Sequence, residues 1–436
     1  MKLFKRAGAL TVALALAVGC LSGCSSSKTA RTTVPESIDL STVTDPYEAA
    51  CGLSGDTVVA TAGEVEITAD QLLYWISYSA DNLSQYYSMY GLDTELPWDT
   101  ETEDGRTLAT TMKETALETA VLYALLPQMA QKDGLELSQE YKDSFNASLE
   151  QLSTSLGDEE QVNHYLWYFP LTKDVYTHLC DSEEYNSMIM TQRFGEGSEG
   201  YPTDDDVLTY LEQDEQCYFF KHILLKVEET TEEGDASSST STVTSTYAQQ
   251  KALAEDLVQQ LQASDDPITL FDTLMNQYSE DPGLASYPEG YLGSAKDGSS
   301  VASNMVTVVE EACLSLEEGQ ISGVLENEEG YHGFHIVLRL PVEGNVDLAE
   351  YRQTYIADQM SLLQDQWLEE NPVTTTAAYD SLDAGVYYQT LNVLRQAISE
   401  SLSASASSSA SGSASASAST DDASADASSA DGSAQG

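Results

Sequence analysis

A chain of 436 residues with 41% apolar side chains and 25 tyrosines can build two or three cores, which excludes a protein disordered throughout. Charge is the outlier, with 72 Asp and Glu against 18 Lys and Arg. Such a surface speaks against nucleic acid, whose phosphates need clustered Lys and Arg, and against anionic membranes, while cationic partners stay open.

At the start, Lys2, Lys5 and Arg6 precede an apolar run from Ala7 to Gly19 that is too short for a comfortable membrane span. Leu21-Ser22-Gly23-Cys24 follows and resembles a lipobox. That resemblance implies a signal peptide over 1–23 and a lipid anchor on Cys24, with Cys20 a weaker alternative, so the rest would work outside the cytoplasmic membrane. Residues 24–55 are rich in Ser, Thr, Asp and Pro without a hydrophobic period, which suits a flexible tether. Cys51, Cys180, Cys217 and Cys313 are widely spaced with no CxxC, so spacing cannot pair them, and it supports no metal site.

Order is expected from Thr57, with a strand to Thr61 and a second short strand ending at Ile67. Thr68 and Gln71 have capping-box spacing ahead of Leu72, Leu73, Trp75 and Ile76. A long helix follows over 108–132, with Gly134 as its stop and Pro127 as a place where it could kink or divide. Helical patterns continue to about Leu211. From Cys217 the texture changes: Tyr218 to Val227 has the aromatic and β-branched content of a buried strand. An acidic Ser/Thr-rich insertion over 228–245 comes next, then helices around Leu253–Leu261 and Leu270–Tyr278. A glycine-rich stretch, a short helix over 308–316 and a final strand over 335–340 complete this part. Beyond Pro341, Leu348, Tyr355, Ile356, Met360, Leu363 and Trp367 form another helical stripe. Residues 401–436 are nearly all Ser, Ala, Gly and Asp, and read as a solvated, disordered tail.

Within 217–342, several ordered pieces carry a resemblance: Lys221-His222-Ile223-Leu224-Leu225, Phe271, Tyr278-Ser279-Glu280-Asp281-Pro282-Gly283, Gly290-Tyr291-Leu292-Gly293, Met305 and Glu310-Glu311-Ala312. Leu316-Glu317-Glu318-Gly319-Gln320-Ile321-Ser322 and Gly333-Phe334-His335-Ile336-Val337 follow. Together they resemble the parvulin family of peptidylprolyl isomerases. The flanks, from Val58 through Ile67 and again near 347–370, look like the helical chaperone part of PrsA- and SurA-like foldases, into which a parvulin domain is inserted.

The resemblance implies an α+β fold class: a mostly helical chaperone domain from segments 56–216 and 343–400, an inserted parvulin-like domain at 217–342, and a disordered tether and tail. His222, Asp281 and His335 would be the catalytic set, with His332 of Gly330-Tyr331-His332 as a rival for the second histidine. Leu292, Met305, Val309 and Leu314 would seat the substrate proline, Val309 standing where relatives usually have phenylalanine and Leu314 where another aromatic is usual. The partners would be unfolded or newly exported polypeptides containing X-Pro, and no cofactor is implied. Prolyl isomerisation breaks no covalent bond, so the lack of a Ser-His-Asp set or a phosphate loop fits this reading. Two other readings are a chaperone that binds clients without catalysis and a solute-binding lipoprotein, which would need two lobes of alternating strands and helices.

Overall fold

The computed structural model describes residues 29–92, 95–101, 105–227, 246–303, 305–328 and 332–415. The expected signal peptide, Cys24, the 228–245 insertion and the tail from 416 lie outside the described residues.

Helix α1 (Pro46–Cys51) starts where Asp45 accepts the N–H groups of Tyr47 and Glu48, and stops at Gly52 with φ +85°. Strands β1 (Val58–Ala62) and β2 (Val65–Thr68) lead into α2 (Ala69–Met89), which opens with the Thr68–Gln71 capping box. Helix α3 (Leu108–Lys132) passes through Pro127 undivided. After α4 (Gln139–Leu156), α5 (Glu159–Tyr168), α6 (Lys173–Phe194) and α7 (Asp204–Thr209), a π-helical turn covers Tyr210–Asp214. The α+β segment follows as β3 (Cys217–Lys226), α8 (Tyr247–Ala263), α9 (Pro267–Tyr278), β4 (Tyr291–Ser294), α10 (Thr307–Ser315), β5 (Leu325–Asn327) and β6 (Gly333–Leu340). The chain ends with α11 (Leu348–Glu370), β7 (Val373–Thr375), α12 (Ala377–Ser381) and α13 (Ala384–Ser415).

Two compact units result, one running from Met190 to Leu363 and the other made of the residues on either side of it. The flanking, helical unit carries an antiparallel sheet in the order β2-β1-β7, with Ala60 opposite Thr375 and Ala62 opposite Val373. Its last helix, α13, buries Tyr387, Leu391, Leu394 and Ile398, a spacing that puts all four on one face. Each such burial is worth about 1.5–3 kcal/mol. Arg395 of that helix grips Asp81 of α2 with two nitrogens at 2.6 and 2.8 Å, and Tyr388 donates to the same carboxylate at 2.7 Å.

Residues 29–55 are not a tether as expected. Tyr47, Ala50, Cys51 and Leu53 are buried, and the Tyr47 hydroxyl donates to the Pro170 carbonyl at 3.0 Å. Asp45, Pro46 and Gly52 close both ends of α1 locally, and most of its side chains are buried. The expected tail is also shorter, since α13 continues to Ser415.

The central unit is larger than 217–342. Val207, Tyr210 and Leu211 on its leading side, and Tyr351 and Tyr355 of α11, pack into the same core as Phe219, Phe271 and Ile336. Tyr210 meets Tyr355 edge-on at 5.3 Å and donates to Asp358 at 2.7 Å. Its four-stranded antiparallel sheet runs β4-β3-β6-β5. On one face Phe219, Ile223 and Leu225 pack with α8 and α9; on the other Tyr218, Phe220 and Tyr291 pack with Val309 and Cys313 of α10. All four described cysteines are free thiols. Burial pushes those of Cys51, Cys217 and Cys313 up to about 12, which makes them unreactive.

Candidate active site

β3 and β6 pair antiparallel with His222 opposite Val337 and Leu224 opposite His335. The two histidines are therefore diagonal neighbours on one sheet face. Their rings stack at 5.3 Å and 11°, and Nδ1 of His222 lies 3.1 Å from Nδ1 of His335. Both side chains are buried.

Asp281 is delivered by the segment that leaves α9. Ser279 Oγ accepts the Leu224 N–H at 3.1 Å, the Glu280 N–H donates to the Leu224 carbonyl at 2.7 Å, and Glu280 Oε2 accepts the Lys226 N–H at 2.6 Å. Stitched to β3 this way, the next residue faces His222, and Asp281 Oδ2 lies 3.0 Å from its Nε2. Asp281 Oδ1 accepts the Gly283 N–H at 3.0 Å, which closes the turn. Gly283 is required there: a Cβ would meet the Tyr291 hydroxyl at 2.3 Å.

That hydroxyl donates to Asp281 Oδ2, so the carboxylate takes hydrogen bonds from His222, Tyr291 and Gly283 together. Burial alone would push the Asp281 carboxyl up, but these bonds outweigh it and hold the group well below the usual carboxylate range. Burial, and then Asp281, push the Tyr291 hydroxyl well above its ordinary value, so it remains a donor. His335 is pushed down to about 3, first by burial and then by His222. With Asp281 ionised and accepting, Nε2 of His222 is the donor. The cluster holds the Asp281 carboxylate among three fixed donors.

Of the residues expected to seat a proline, Met305 and Val309 share the cluster on the histidine face, whereas Leu292 and Leu314 lie elsewhere. Leu292 lies opposite Phe219 and belongs to the core on the other face of the sheet. Met305 is half-buried on the histidine face, against the cluster of Phe220 and Tyr291. Val309 is fully buried in that cluster and opens on no surface, whereas Leu314 is 54% exposed on α10. The physical reason is the two-residue period of β4: once Tyr291 faces His222, Leu292 must face away.

His332 does not join the site. Its Nε2 pairs with Glu326 at 3.0 Å and its ring lies against Tyr247 and Phe334. Glu326, Glu328 and His332 form the one group among the described residues whose ligand atoms lie within 4.8 Å of one another, and it is solvent-facing. His164 packs against Trp167, and burial lowers the pKa of His178.

Tyr291 was missed because Gly290-Tyr291-Leu292-Gly293 reads as a turn; it is strand β4. The available signal was the tight spacing itself, since Gly293 must be glycine where the Tyr218 ring would meet a Cβ at 2.3 Å.

Residues 222–340 match the PPIC-type PPIASE (rotamase) domain family. The chain contains a parvulin-type peptidylprolyl isomerase domain. The matched span opens at His222 and includes Asp281, Tyr291 and His335. No curated protein matches the chain. Among solved structures, it is similar to the peptidylprolyl isomerase PrsA of Bacillus cereus at 17% identity, covering 65% of this chain and 95% of that one with a TM-score of 0.26. It is also similar to the foldase protein PrsA of Lactococcus lactis, at 13% identity, covering 73% and 94%, with a TM-score of 0.24. The SurA-like chaperones of Campylobacter jejuni match at 14% identity, covering 66% and 89%, with a TM-score of 0.20.

Proposed function

We propose that this protein is an extracytoplasmic foldase, held to the membrane by a lipid on Cys24, whose parvulin domain isomerises X-Pro bonds of newly exported polypeptides while the helical unit assists their folding. The observation that carries the reading is the buried His222–His335 pair with Asp281 inside the segment that matches the isomerase family.

The barrier to be lowered is about 18–20 kcal/mol and comes from amide resonance, which puts negative charge on the carbonyl oxygen of the planar peptide. Twisting the bond withdraws that charge. Fixed negative potential from Asp281, transmitted through oriented imidazoles, disfavours the planar form relative to the twisted one in a water-poor site. Tyr291 and His222 keep the carboxylate ionised at neutral pH. Phe220, Tyr291 and Met305 supply the apolar surroundings on the same face.

The test is the rate of cis/trans exchange of short X-Pro peptides with the full chain. Acceleration by the wild type and its loss in Asp281→Ala are expected; a folded wild type that accelerates no X-Pro peptide refutes catalysis. A binding-only chaperone is then the reading, and the placement of Leu292 on the opposite face and of Val309 inside the core favours it. No helix among the described residues is long and apolar enough to cross a membrane. Cys24→Ser should therefore release the protein from membranes or leave an unprocessed precursor; a variant still processed and membrane-bound refutes the anchor.

A further inference from the structure

Within the helical unit, α2, α3, α4 and α6 enclose a cleft of about 780 Å³ that the isomerase site does not use. Its walls are unusually aromatic. Tyr74, Trp75 and Tyr78 come from consecutive turns of α2 and face Tyr123 of α3. Trp75 lies 4.6 Å from the Tyr123 ring and 5.5 Å from that of Tyr78, which is half exposed. From the other side come Tyr141 and Phe145, stacked at 6.2 Å, and Tyr176, 5.8 Å from Phe145. Leu171 and Leu179 add aliphatic surface.

Its charge is one-sided. Glu183 and Glu184 line the cleft, and no Lys or Arg does. The Tyr123 hydroxyl donates to Glu183, and Tyr141 donates to Asp181 at 3.1 Å, so the ring orientations are set by carboxylates. A carboxylate has several acceptor positions and can take a further donor beside a tyrosine. Aromatic faces with adjacent carboxylates are complementary to a cation on an apolar stem: the rings attract its charge and cover its methylenes, and the acids accept its N–H groups.

We propose that this cleft holds an extended polypeptide segment in which an Arg or Lys side chain is flanked by apolar residues. The volume is within the range of built ligand pockets and exceeds what one side chain fills, which favours a peptide over a lone cation. The inference gives a substrate class to the chaperone half of the reading above and rests on it. A protein this acidic needs such a site to select among clients, because its general surface attracts every cation weakly and at long range.

The test uses the full chain and short fluorescein-labelled peptides without proline, so that the isomerase site is not engaged. One peptide alternates Arg with Leu and Phe; its counterpart carries Glu for Arg. Anisotropy should show the Arg peptide binding at least about tenfold more tightly than the Glu peptide. Tyr78→Ser and Glu184→Gln should each weaken it by about threefold or more, and the double variant by about tenfold. The same preparations should isomerise a small X-Pro peptide at the wild-type rate. Equal binding of the two peptides, or cleft variants that bind as the wild type does, overturns the proposal even if isomerisation is intact. Peptide binding that depends on the cleft, in a protein that isomerises nothing, upholds the cleft and refutes only the catalytic half.

Discussion

In the parvulin unit, two histidines and an aspartate lie inside a sheet face and hold one another at 3.0 and 3.1 Å. In the helical unit, the conspicuous groups are tyrosine, phenylalanine and tryptophan rings from four helices, of which Tyr123 and Tyr141 are tied to acids through their hydroxyls. The first arrangement depends on every member, because each buried polar atom is satisfied by a particular neighbour. The second shares its work over many similar surfaces and should degrade in steps.

The largest expected effect comes from acid. His335 is neutral when folded, since burial and then His222 push it down to about 3, whereas the unfolded chain protonates near about 6.5. A depressed folded pKa gives stability that is present above the unfolded value and is lost as pH falls towards the folded one. The loss should approach about 1.4 kcal/mol per pH unit within that window, on the order of 3 kcal/mol by about pH 4. Acidification also relieves repulsion in a chain of net charge −54, so the quantity to measure is the stability difference between wild type and His335→Gln in denaturant melts. A difference independent of pH would break the picture of a cluster whose members depend on one another.

Next in size, Asp281→Ala should lower kcat/KM for X-Pro isomerisation by about tenfold or more, equivalent to roughly 1.4 kcal/mol of transition-state stabilisation. Binding of the Arg peptide should be unchanged, which separates the two units. Arg395→Met, by contrast, removes the two-nitrogen grip on Asp81 and should destabilise the helical unit by about 1–2 kcal/mol, a figure reduced because Asp81 is partly exposed. Thermal melts followed by Trp fluorescence would show it, and an unchanged isomerisation rate would sharpen the contrast. Tyr291→Phe takes one hydrogen bond from Asp281 and should slow isomerisation by about threefold while moving its acid limb to higher pH. The smallest effect is expected from His332→Ala, within about twofold in rate, since that residue pairs with Glu326 away from the cluster; a loss matching that of His335→Ala would reassign the site.

What the sequence disclosed follows the same division. His222, Asp281 and His335 were singled out by the resemblance to the parvulin family, while the apolar runs around the histidines and the Asp-Pro-Gly turn disclosed only the local backbone. The face that Leu292 takes was not legible, because a four-residue strand containing a glycine has too few positions to display its period. The burial of Val309 was likewise not legible, since the sequence does not give the orientation of its helix. Residues 29–55 show no hydrophobic period, yet Tyr47 and Leu53 are buried around a helix that is capped at both ends. The aromatic cleft had no linear signature, since its rings are contributed by helices spread from residue 74 to residue 176.

The pairing of β1 with β7 sets an order on assembly. Val59 and Ala60 emerge from the ribosome early, but their hydrogen-bond partners, Thr375 and the Thr376 N–H that reaches the Val59 carbonyl at 2.9 Å, come more than three hundred residues later. Until then one side of β1 is an open edge, able to recruit any extended chain nearby. The parvulin unit, uninterrupted between Met190 and Leu363, has all its strands in hand before that edge can close. The inserted unit thus closes its sheet within one continuous stretch of chain, whereas the sheet around it needs strands from both of its flanks.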